Sequence, residues 1–171
     1  MITIFEKYNN KPDVNSVSSE FWKMIEIADW NSVIKYYQGI RFSAKVYVNL
    51  FEKAQLELYK KYEYDQIKKF CDELHIFYQE LYLYFSEYFE ELNPESFDQY
   101  SDDFQNLITS TIGKGKKIIK KCIDDPRFLL RIEKSNDYVE GFEDLLDVTE
   151  TEYWDIKSQD PFFKDVRKFN L

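Results

Sequence analysis

The chain has 171 residues, 44% of them hydrophobic and 19% aromatic, with a formal net charge of −9. That apolar content excludes disorder, and the negative balance opposes binding to nucleic-acid phosphates or to an anionic membrane surface. Only four glycines and four prolines occur, so the segments between breaks are long, which favours an all-α protein over a sandwich or barrel.

The residues Ser16 to Ser19 can cap a short helix, with Glu20 in its positive first turn and Phe21, Trp22, Ile25 and Ala28 on one face. Asp29 or Asn31 can cap a second one that carries Val33, Ile34 and Tyr37 and ends near Gly39. From Ser43 to Tyr62 no Gly or Pro intervenes, and Val46, Leu50, Phe51, Ala54, Leu58 and Tyr62 recur at three or four residues. The next stripe is longer: Ile67, Phe70, Cys71, Leu74, Phe77, Tyr78, Leu81, Phe85 and Phe89. A short joint at Glu63 to Asp65 predicts that these two long helices form an antiparallel pair.

Asn93-Pro94-Glu95 reads as the start of a further turn or helix. Ser101 can then cap a helix with Asp102 and Asp103 in its first turn and Phe104, Leu107, Ile108 and Ile112 on its apolar face, ended by Gly113. Another helix is predicted from about Lys116, burying Ile118, Ile119, Cys122 and Ile123, and Asp125-Pro126 breaks it because a residue before proline avoids helical angles. Phe128, Leu129, Leu130 and Ile132 form a short apolar segment, Ser135 to Asp137 a turn, and Phe142, Leu145, Leu146, Thr149 and Tyr153 a last helix. The expected fold is a single all-α domain over 1–171, its core about 18–155, with about seven helices around the long pair.

The opening MITIFEKYNNKPD lacks a signal-peptide pattern and no apolar run reaches bilayer length, so a cytoplasmic protein without membrane contact is expected. Cys71 and Cys122 lie far apart among apolar residues and read as buried free thiols. His75 is the only histidine, which excludes a histidine-based triad or a multi-histidine metal site within the chain. It reads as a structural residue of the long helix. No catalytic residue, metal or cofactor is assigned.

Three stretches carry the remaining candidates. Ser101, Asp102 and Asp103 suit a capped helix start; the alternative is a ligand or catalytic pocket, although adjacent carboxylates on a helix point about 100° apart. Lys114, Lys116, Lys117, Lys120 and Lys121 form a basic patch that lacks the phosphate-loop pattern and could hold an anion or pair with the protein's own acids. Between 136 and 160 stand nine carboxylates and one base, Lys157, so nearly all the net charge is concentrated there. A helix presenting Asp144, Asp147 and Glu150 suits a basic protein partner, such as a cationic toxin enzyme.

The stretches EFWKMIEIA, YSDDFQNLITSTIGKGKKIIKKCIDDPRFL and GFEDLLDVTETEYW resemble a bacterial domain-of-unknown-function family, number 4240. The matching residues of its central signature are Ser101, Asp102, Asp103, Phe104, Leu107, Ile108, Gly113, Asp125 and Pro126. Trp22, from the opening pair of aromatics, joins the ligand or partner candidates. Asn106 and Thr109 stand where that family carries arginine and tryptophan, and the lead into the signature, NPESFDQY, also departs from it. The resemblance implies a bacterial intracellular helical domain and leaves the chemistry open. The function expected is a non-catalytic binding module with an acidic surface, an immunity-type neutraliser being one concrete version; the alternative is a small-ligand or enzymatic domain at Ser101-Asp102-Asp103.

Overall fold

A computed structural model describes residues 11–32, 44–92, 102–135 and 150–158, and these are helical with short joints and no strand among them. Helix α1 (Ser19–Ala28) starts where a hydroxyl cap was expected. Ser18 Oγ accepts the amide of Phe21 at 3.1 Å and donates to Glu73 at 2.8 Å, so one side chain both caps α1 and ties it to the long helix. Asp29 ends α1 in the left-handed conformation, φ 51° and ψ 41°. Its carbonyl accepts from Ser32 at 2.9 Å, opening a new helical turn at 30–32. Val33, Ile34, Tyr37 and Gly39 lie outside the described residues.

Helices α2 (Ala44–Lys61) and α3 (Tyr64–Leu92) are joined by Tyr62 and Glu63 alone. Every residue of the predicted α3 stripe is buried, from Ile67 to Phe89. The two long helices touch, yet their principal partners differ: α2 packs on α1 and on α7 (Glu150–Ser158), whereas α3 packs on α1 and α4 (Asp102–Gly113). The predicted turn at Asn93-Pro94-Glu95 lies outside the described residues.

Helix α4 is the centre of its end of the molecule. It contacts α3, α5 (Lys116–Asp124) and α6 (Arg127–Lys134), and α5 and α6 also pack on each other. Phe104 and every residue from Asn106 to Gly113 are buried. From Asn106 onward the helix is enclosed on all sides, so that part shows no clean amphipathic stripe. Its hydroxyls are accommodated within the helix: Thr109 donates to the Gln105 carbonyl at 2.9 Å and Thr111 to that of Leu107 at 2.6 Å. Small side chains there let three neighbours approach.

Gly113 is the last residue of α4, as expected, but the backbone that needs glycine comes two residues later. Gly115 has φ 95° and ψ 168°, a region essentially closed to L side chains, and a Cβ there would meet nothing within 4 Å. Asp125 is extended before Pro126, as the proline demands. Its carboxylate accepts the Arg127 Nε–H at 2.8 Å at the start of α6. The buried apolar side chains form one contiguous cluster from Val14 to Tyr153, including Trp30, which its local pattern did not single out.

Candidate functional site

Helix α7 has two unlike faces. Tyr153 and Lys157, one turn apart, point inward and are buried. The Tyr153 hydroxyl donates to the Tyr62 carbonyl at 3.0 Å, and Lys157 Nζ donates to the Tyr153 oxygen at 2.5 Å. The Tyr153 ring lies 4.9 Å from Tyr59 and 5.7 Å from Tyr64, closing an aromatic cluster around the α2–α3 joint. Lys157 Nζ is 4.0 Å from Glu63 and 5.6 Å from the centre of the Trp154 ring.

The outer face carries Glu150, Trp154 and Asp155, all exposed. Glu150 and Trp154 are four residues apart and therefore on one side of the helix. Trp154 is 43% exposed, an unusual position for the side chain most often found as an interface anchor. Carboxylates one turn before it and immediately after it flank the indole on the outer face, and the Lys157 ammonium lies on its buried side.

The joint beneath α7 is also tied to α1. The Tyr62 hydroxyl donates to Glu20 at 2.7 Å. Burial, then that bond to a carboxylate, push the Tyr62 phenol up to about 12. The bond lowers the Glu20 carboxyl, with Lys23 adding to the same effect. Burial raises the Tyr59 phenol further still.

The other candidates fall into different settings. Trp22 is buried, its indole N–H donating to the Val14 carbonyl at 3.0 Å and its ring edge-on to Phe77, which makes it a core residue. Asp103 is exposed in the first turn of α4. Ser101, the side chain of Asp102, and Asp144 and Asp147 lie outside the described residues. His75, expected as a structural residue, is exposed on α3 because its position falls off the buried stripe. Both cysteines are buried.

The basic patch is largely turned to the protein's own groups. Lys120 meets Asp124 at 2.8 Å and Lys11 meets the same carboxylate at 2.7 Å. Lys116 donates to Asn15 at 2.9 Å, and Lys121 lies 5.7 Å from the Phe128 ring centre. These contacts strap residues 11–15 across α5. Among the described residues, no group of three His, Cys, Asp or Glu side chains is placed to hold a metal ion, and no helix is long and apolar enough to cross a membrane.

The buried Tyr153–Lys157 pair is the feature that charge counting passes over, since Lys157 enters it only as the lone base of an acidic tract. The four-residue spacing was the available signal. Comparison with family models, with curated proteins and with solved structures finds no match.

Proposed function

We propose that this chain is a non-catalytic, cytoplasmic binding module of the kind implied by its resemblance to the bacterial family named above, and that α7 presents the surface by which it engages a basic protein partner. The observation that carries the reading is the exposed indole of Trp154 with Glu150 and Asp155 beside it. An aromatic anchor supplies apolar contact area, and flanking carboxylates steer a cationic surface into register. Neutralisation of a basic toxin enzyme, in the manner of an immunity protein, is the concrete form of this reading. The concentration of carboxylates between 136 and 160 supports it, because a cationic catalytic cleft is the complementary target.

The test is capture of partners by the tagged chain at low and high salt, with a Trp154→Ala, Glu150→Lys, Asp155→Lys variant in parallel. The expected result is a stoichiometric basic protein that is lost at high salt and lost from the variant. Equal capture by the variant, or no stoichiometric partner at either salt concentration, overturns the reading.

A further inference from the structure

We propose that Lys157 is the positioning residue for Trp154: its buried ammonium, fixed by the Tyr153 hydroxyl, holds the indole in the orientation that exposes it on α7. The consequence for binding rests on the partner surface proposed above; the positioning is a property of the chain alone.

Side chains on a helix lean back toward its N-terminus, so a lysine at 157 reaches over residues 153 and 154. Its Nζ does not extend into solvent; the residue is 5% exposed. The ammonium donates to the Tyr153 oxygen at 2.5 Å, and that oxygen is itself committed to the Tyr62 carbonyl at 3.0 Å. The position of the charge is thus set by the joint between α2 and α3. From there Nζ lies 5.6 Å from the Trp154 ring centre, within the range of cation–π attraction. The Tyr153 ring adds an edge contact to the same indole, with centroids 5.0 Å apart at 77°.

An exposed tryptophan without such contacts samples several rotamers, and binding must then select one at an entropic cost. Here the ordering is done before any partner arrives. Lys120 and Lys11 meet a surface carboxylate from solvent, whereas the buried Lys157 ammonium, besides its 4.0 Å approach to Glu63, lies 4.9 Å from the Tyr153 ring centre and 5.6 Å from that of Trp154, the ring that stands at the surface.

The inference is tested on the full chain by NMR and tryptophan quenching. Ring currents of Trp154 and of the nearer Tyr153 place the ε-methylene protons of Lys157 upfield of their ordinary position, and Trp154→Leu moves them part of the way back downfield, no movement overturning the proposal. In Lys157→Met the Trp154 indole N–H signal shifts or broadens and acrylamide quenching of tryptophan emission rises; Lys157→Arg restores both. Trp22 and Trp30 are buried, so the readily quenched emission reports Trp154. An ordinary ε-methylene position in the native chain overturns the proposal even if Lys157→Met does not fold. So does a folded Lys157→Met with unchanged indole signal and quenching. If these signatures hold while Trp154→Ala captures partner as well as the native chain does, the positioning stands and the partner surface alone is refuted.

Discussion

The hydroxyl of Tyr153 donates to the carbonyl of Tyr62, and this bond secures α7 to the joint between the two long helices. Tyr153→Phe keeps the ring but removes a donor for Tyr62 and the acceptor of the Lys157 ammonium. Leaving buried polar groups without that partner costs about 1–3 kcal/mol. The neighbouring Tyr59 provides the control, because its buried hydroxyl has no hydrogen-bond partner among the described residues. Tyr59→Phe is therefore expected to be near neutral or stabilising. Urea midpoints of the two variants should move in unequal amounts, with Tyr153→Phe the lower.

Ser18 serves two helices through one oxygen. Ser18→Ala removes the cap of α1 and the hydroxyl bond to Glu73, for an expected loss of about 1–2 kcal/mol. Because the carboxylate accepts from the serine, Ser18→Ala and Glu73→Gln should be non-additive in a double-mutant cycle. Additive effects would show that the bond to Glu73 contributes nothing beyond the cap.

Asp124 sits between two ammonium groups at the surface. Hydrogen bonds from Lys11 and then Lys120 lower its carboxyl from an ordinary 3.8 to about 2. A carboxyl lowered by folding adds stability above its unfolded value, and that contribution is lost as pH falls from about 4 through about 2. An NMR titration of the side-chain carboxyl should have its midpoint near 2. Replacing both Lys11 and Lys120 with Met, or raising the salt concentration, should bring it back toward 3.8.

The Cys122 thiol is pushed up to about 12, chiefly by burial, with Asp125 adding to the effect and Lys114 opposing it. The thiolate is the reactive form, so a disulfide reagent at pH 8 should label Cys122 only as the protein opens. The labelling rate should therefore rise with denaturant in parallel with unfolding. Rapid labelling of the native chain would contradict this burial.

The α3 stripe was legible because a helix half in contact with its neighbours leaves a period of three to four apolar residues, and all nine predicted positions are buried. Helix α4 was legible at its ends but not in its role. Thr109, Ser110 and Thr111 fall outside the apolar face of Phe104, Leu107, Ile108 and Ile112, yet each is fully buried, since only tertiary packing decides which polar residues a central helix encloses. The site divides in the same way. Glu150 and its neighbours stand out by charge alone, whereas the inward turn of Lys157 depends on the carbonyl of Tyr62, far away in sequence. The FW pair gives the opposite lesson: Trp22 looked available to a ligand, and the Val14 carbonyl and the Phe77 ring enclose it.

Gly115 has open space where a Cβ would stand, so its side-chain-free state is not a matter of room. Its φ of 95° and ψ of 168° are the mirror image of ordinary extended backbone. What the turn between α4 and α5 requires is thus a handedness. D-alanine introduced at 115 by chemical synthesis would fit the native turn while restricting the unfolded chain, and L-alanine at the same place would not.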